Sequence, residues 1–143
     1  MPIVNGKYEA KLSTVFKTPK EGVQAIKKRL EKAKRVRVSA IPMSLLDELL
    51  PLVKTKDFMV ILPRGQKPKK AQKDVGDVAV TASRIYVDFK GTEANAGSIT
   101  FSDVMFSILW TKDKILQIET MEYPKCVKCM HGTFDVAWRY AKK

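Results

Sequence analysis

Val36-Arg37-Val38-Ser39-Ala40-Ile41-Pro42 and Asp57-Phe58-Met59-Val60-Ile61-Leu62-Pro63 bracket a segment in which Leu46, Leu49, Leu50 and Val53 recur at helical spacing. The flanking runs, Val36 to Ile41 and Asp57 to Leu62, are short and rich in β-branched residues, and each is stopped by a proline, which is how strands end. Ser44 with Asp47 reads as the helix start between them, and Pro51 ends or kinks that helix near Leu50. A strand, a helix and a strand in this order predict parallel strands joined by a crossover, hence an α/β domain.

Upstream, Thr18-Pro19-Lys20-Glu21 is a capping box with proline at the first helical position. Val23, Ile26, Leu30 and Ala33 then share one face, and Lys27, Lys28, Arg29, Glu31, Lys32 and Lys34 occupy the others. Downstream, Arg64 to Asp77 is polar and basic and reads as a long loop with a short helical piece. Val78 to Thr81 and Ser83 to Phe89 read as strands, with Lys90-Gly91 as the turn, and Ser98 to Phe101 as a further strand. Ser102 to Trp110 fits both periods. It is assigned to a strand because Lys112-Asp113-Lys114 is turn-like and Ile115 to Met121 continues with β-forming residues. Phe134, Ala137, Trp138 and Ala141 have helical period, so a closing helix is expected there.

The chain has 143 residues, 45% of them apolar and 29% charged, the profile of one globular domain over residues 1–143. Uncharged runs such as Val38 to Leu46 are far too short to span a membrane, and Lys7, Glu9 and Lys11 stand where a signal peptide needs an apolar run. A cytoplasmic protein without a membrane span is expected. The net charge is +12, and Lys17 to Lys73 holds 16 basic against 5 acidic residues. This asymmetry points to an anionic ligand, nucleic acid or the acidic face of a protein partner. The candidate residues are Arg64, Lys67, Lys69, Lys70 and Lys73, together with the helix from Thr18 to Arg35. Phe58 is the single aromatic residue between Lys17 and Lys73, so base stacking is not encoded there and any nucleic-acid binding should be insensitive to sequence. Solvation alone accounts for such lysines equally well.

From Val15 to Leu62, the capped helix, the strand ending in Pro42, Leu45-Leu46-Asp47-Glu48-Leu49-Leu50-Pro51 and the second strand resemble the effector domain of the archaeal TrmB family of transcription regulators. The resemblance continues in Arg84-Ile85-Tyr86-Val87-Asp88-Phe89-Lys90-Gly91 and in Phe134-Asp135-Val136-Ala137-Trp138-Arg139-Tyr140-Ala141. It implies a phospholipase D-like mixed sheet flanked by helices, and a regulatory or sensor-like role linked to transcription. Such domains commonly pair, and Trp110, Trp138 and the apolar alternation of Val104 to Trp110 add to the expectation of a homodimer. Two departures stand out. Phospholipase D chemistry needs a His-x-Lys motif, whereas His131 is the single histidine and Thr133 occupies the lysine position. The DNA-reading winged helix of the regulators is expected to be missing, since the first helix begins at Thr18.

No enzyme is expected. One histidine leaves one candidate base, and it lies two residues from Cys129. Asp88, Glu93, Asp103 and Asp113 fall near predicted turns, where acids solvate and cap. Gly91 and Gly97 lack phosphate-loop spacing. Cys126-Val127-Lys128-Cys129-Met130-His131 leaves three readings open. Cys126, Cys129 and His131 supply three of the four ligands zinc takes, so a second chain or water would have to complete a site. The cysteines could instead close as a disulfide, with a following helix and Lys125 and Lys128 favouring the thiolate. The third reading is two partly buried thiols, with His131 a surface residue ahead of the last helix and no cofactor at all.

Overall fold

The computed structural model describes residues 3–4, 7–8, 13–53, 57–62, 77–80 and 86–140. A two-stranded hairpin, β1 (Ile3–Val4) and β2 (Lys7–Tyr8), precedes the main sheet. That sheet has eight strands in the order β3-β10-β9-β8-β4-β5-β6, with β7 also pairing β8. The strands are β3 (Ser13–Val15), β4 (Arg35–Ser39), β5 (Asp57–Leu62), β6 (Asp77–Val80), β7 (Tyr86–Phe89), β8 (Thr92–Thr100), β9 (Met105–Thr111) and β10 (Lys114–Met121). The helices are α1 (Pro19–Lys32), α2 (Met43–Leu49) and α3 (Pro124–Tyr140), with a 3-10 turn at Leu50–Leu52. No described helix is long and apolar enough to cross a membrane.

The expected crossover is present: β4 pairs β5 in parallel, Val36 beside Phe58 and Val38 beside Val60. β5 pairs β6 in the same sense, whereas β4 meets β8 antiparallel. The first helix starts as its sequence requires, with Thr18 Oγ1 accepting the Glu21 N–H at 3.2 Å. The second does not. Pro42 occupies its cap, and Ser44 instead donates its N–H to Asp113 Oδ1 at 3.1 Å and its hydroxyl to Asp113 O at 3.2 Å. These bonds tie α2 to the β9–β10 turn. That turn places Lys112 and Asp113 at φ 49° and 62°, and the β7–β8 turn places Lys90 and Gly91 at 49° and 76°. Both are the doubly left-handed turns that suit the twist of a hairpin.

Three expectations need correction. β8 is nine residues long rather than the four from Ser98 to Phe101, because pairing with β7, β9 and β4 outweighs the poor strand preference of Glu93 to Gly97. The strand assigned to Ser102–Trp110 begins only at Met105, after a bend at Ser102 and Asp103. The last helix begins at Pro124, ten positions before Phe134, so Cys126, Cys129 and His131 lie inside it rather than ahead of it.

The core lies between one face of the sheet and helices α1 and α2. Val36, Val38, Phe58, Val60, Ile99, Phe106, Ile108 and Trp110 meet Ile26, Leu30, Leu45, Leu46 and Leu49, all nearly inaccessible. At Gly22 the α1 backbone comes down onto Ile118, where a Cβ would stand 2.7 Å from the isoleucine Cβ. The alternate residues of β9, Met105, Ser107 and Leu109, face the other way toward α3 and are half-buried. That second face is covered by α3 through Val127 and Phe134. Trp110 is buried in the core and Trp138 stacks on Phe134 with ring centres 5.9 Å apart, so neither supplies the free aromatic surface expected of them.

Candidate functional site

β4 is the strand at which pairing changes from parallel to antiparallel, and the backbone is distorted at its carboxyl end. Ala40 has φ 54°, a left-handed conformation that costs an ordinary residue about 1–2 kcal/mol. Two bonds hold it there. The Ala40 N–H donates to Ile61 O at 2.9 Å, and its carbonyl accepts the Trp110 Nε1–H at 2.8 Å. Gly97 runs against the same carbonyl, and a Cβ on it would stand 2.5 Å from that oxygen.

Beside this point a groove of about 340 Å³ opens between the sheet and α3. Ser39, Ser98, Thr100 and Ser107 bring hydroxyls from the strands, and Ile61, Met105 and Leu109 bring apolar surface. Met130, Thr133, Phe134 and Ala137 close it from α3. The volume lies within the range of small-molecule sites, and none of the described residues lining it is charged. Such a lining suits a small uncharged molecule with a few polar groups, because a buried unpaired charge would be heavily penalised.

A second cleft, of about 650 Å³, lies where α1 ends, β4 begins and α3 starts, and is lined by Arg29, Arg35, Lys128 and His131 with Asp103, Glu122 and Ser102. Its charges are mixed, and Arg29 already pairs with Asp103 at 3.1 Å. His131 sits against the end of β8. Its Nε2 lies 2.7 Å from Phe101 O, and a carbonyl only accepts, so the ring carries its proton on Nε2. Nδ1 is buried without a hydrogen-bond partner. His131 therefore pins α3 to the sheet and is not the surface residue that the sequence suggests.

Cys126 and Cys129 are both exposed rather than partly buried. His131 is two positions beyond Cys129, which on a helix is about 200° around the axis, so the structure does not gather the three residues. Among the described residues no three His, Cys, Asp or Glu side chains converge to hold a metal ion. Arg64, Lys67, Lys69, Lys70 and Lys73 lie outside the described residues. Of the turn acids, Asp103 and Asp113 are in turns, whereas Asp88 and Glu93 pair across β7 and β8.

Sequence reasoning missed the groove, although alternation across Met105, Ser107 and Leu109 was its available signal. It also missed Arg37, which is only 5% exposed in the middle of the sheet. Its Nη1 donates to Val36 O and Asp57 O at 3.1 and 3.0 Å, and Nη2 to Asp57 Oδ2 at 3.1 Å, while Nε is buried without a partner. The hydrogen bond from Arg37 holds the Asp57 carboxyl below the usual carboxylate range. Partial burial opposes the shift, and the charges of Arg37 and Arg35 assist it.

No protein-family model matches the chain, and no curated protein matches it in sequence. Solved structures do. The chain is similar to TrmBL2, described as an archaeal chromatin protein with a novel mode of DNA binding, with a TM-score of 0.60 at 15% identity over 94% of this chain and 55% of that one. It is similar to NucT from Helicobacter pylori, with a TM-score of 0.61 at 7% identity over 91% of this chain and 97% of that one. It is also similar to Nuc from Salmonella typhimurium, a phospholipase D family member, with a TM-score of 0.55 at 14% identity over 91% and 95% of the two chains. At these identities the likeness establishes the fold, which is phospholipase D-like, and the chain spans about half the length of TrmBL2.

Proposed function

We propose that this chain is a non-catalytic regulatory module, of the kind found as the effector domain of TrmB-type regulators, and that it takes a small uncharged ligand in the groove under α3. The groove is the observation that carries this reading, because its size, apolar walls and hydroxyls suit binding, and none of the described residues lining it is a general base. His131, the one histidine, lines the other cleft and is engaged with Phe101 O, and Thr133 stands where a phosphodiesterase would place lysine. The test is a thermal-shift screen of neutral metabolites on the wild-type chain and on Ser98→Phe, which fills the groove. Ligands that raise the wild-type midpoint by several degrees and leave the variant unmoved support the reading. Equal shifts in both, or turnover of a phosphodiester by the wild type, defeat it.

A second reading is sequence-insensitive association with nucleic acid, favoured by the exposed Lys20, Lys28, Lys32 and Lys34 on and just after α1 and by the DNA binding described for TrmBL2. Affinity for duplex DNA should fall steeply with salt. Lys28→Ala with Lys32→Ala should lower the log–log slope by about 1 for each phosphate the variant no longer neutralises. Replacing Lys67, Lys69, Lys70 and Lys73 together by alanine tests the 64–77 segment in the same assay, with stability held within about 0.5 kcal/mol.

The module is further proposed to act as a homodimer. Val136 and Tyr140 on α3 are 50% and 86% exposed. Asp135 and Arg139 flank them at a spacing that sets each acid near the partner's Arg139 when two such helices cross antiparallel about a two-fold axis.

A further inference from the structure

We propose that Cys126 and Cys129 form a thiol–disulfide exchange site on the exposed side of α3, reactive toward small disulfides that carry carboxylates. Three observations carry it. Both thiols are exposed, and neither is one of the two residues that α3 buries fully, Val127 and Phe134. They are the chain's two cysteines and stand three positions apart in one helix, which sets their Cβ atoms about 5–6 Å apart on the same side. A disulfide needs about 3.5–4.5 Å between Cβ atoms, so closure asks for a modest tightening of the turn. The turn lies at the start of the helix, where the N–H groups ahead of Val127 have no intrahelical carbonyl, so tightening it disturbs the first bonds of α3 rather than its middle. The first such bond is the one from Val127 N–H to Tyr123 O at 3.0 Å.

The chemistry is a two-step exchange. The thiolate sulfur of one cysteine attacks a sulfur of the small disulfide, forming a mixed disulfide and expelling one small thiolate. The second cysteine then attacks the protein-side sulfur, the mixed bond breaks, and the second small thiolate leaves. Two electrons pass from the protein dithiol to the reagent, and the two protons lost from the cysteines end on the released thiols. Lys125 and Lys128, both exposed and adjacent in sequence to the cysteines, favour an approaching anion over a cation.

A structural link gives the oxidation state a consequence. Thr133 Oγ1 donates to Cys129 O at 2.9 Å, and Thr133 lines the groove. Drawing Cys129 toward Cys126 moves the carbonyl that positions Thr133. This last consequence alone rests on the groove being a ligand site, whereas the exchange itself does not.

The experiment treats the reduced chain with oxidised glutathione, an anionic disulfide, and with cystamine, a cationic one, and follows thiol titration and intact mass. Wild type is expected to lose both thiols together and the mass of two hydrogens. Cys126→Ser and Cys129→Ser are each expected to stop at a mixed disulfide that persists at least about tenfold longer than any adduct on wild type. Glutathione should outpace cystamine at low salt, and the difference should shrink in high salt. Three results would each overturn the proposal: thiols that stay free in excess oxidant, a wild-type mixed disulfide that never resolves, or purified protein whose thiols are masked by stoichiometric zinc. Failure of the groove reading would leave these results unchanged.

Discussion

Gly97 and Ala40 show how one atom can decide a site. The Ala40 carbonyl takes the Trp110 indole N–H, and Gly97 leaves room for both because it has no side chain. Gly97→Ala would set a methyl 2.5 Å from that oxygen, which forces β8 or β4 to move. The expected loss is more than about 2 kcal/mol in chemical denaturation, together with a changed near-ultraviolet signal from Trp110. A loss below about 0.5 kcal/mol would mean the strands separate freely. Asp57 carries the pH dependence at this scale. Arg37 makes the folded chain bind the Asp57 proton more weakly than the unfolded chain does. The stabilisation is therefore complete above the ordinary carboxylate value of about 3.9 and is lost as pH falls through the lower folded value. The Asp57 side chain is 59% exposed, so water screens the pair and about 1 kcal/mol is the ceiling. Urea midpoints of wild type and Asp57→Asn should differ near about pH 6, and the gap should narrow as pH falls below about 3.9 and the folded chain takes up the Asp57 proton. A gap that persists in acid would assign the effect to packing.

Two helical glycines separate what an element wants from what its neighbours impose. Gly132 lies in the interior of α3 with open space where a Cβ would go, so Gly132→Ala should stabilise the chain by about 0.5–1 kcal/mol through helix propensity alone. Gly22 lies in α1 on top of Ile118, and the same change there should destabilise by about 1–3 kcal/mol, because the methyl has nowhere to go. Measured side by side by thermal unfolding, the two variants should shift in opposite directions. Matching signs would show that α1 rides above the sheet with slack. The start of α1 was legible in sequence because Thr18 and Glu21 form a local cap that needs no tertiary partner. The start of α3 was not. In its first half only Val127 is fully buried, with Met130 and His131 half-buried, and Gly132 interrupts the pattern, so its periodicity becomes strong only from Phe134 onward.

At the scale of the whole molecule, the α1 and α2 face holds the core, and the α3 face is left with a groove and an exposed helix edge. Light scattering in the high micromolar range should give twice the chain mass, and Val136→Asp with Tyr140→Asp should give the monomer, since the changes introduce charge where two copies would meet. A wild-type monomer at that concentration would remove the dimer from the reading. The α/β class and the parallel β4–β5 pair were legible in the chain itself, whereas the phospholipase D-like architecture came only through the family resemblance. Helix and strand periods are local, and a proline after each early strand marks where it stops. Tertiary structure decided the rest. The length of β8 came from its three neighbours and not from Glu93 to Gly97. The burial of Arg37 came from the Asp57 carbonyl and carboxylate that the β4–β5 register brings to it, beside its own neighbour's carbonyl at Val36. The groove exists because Ser39, Ser98, Ser107 and Thr133, far apart in sequence, meet across three strands and a helix, and the alternation along β9 marks only one of its walls.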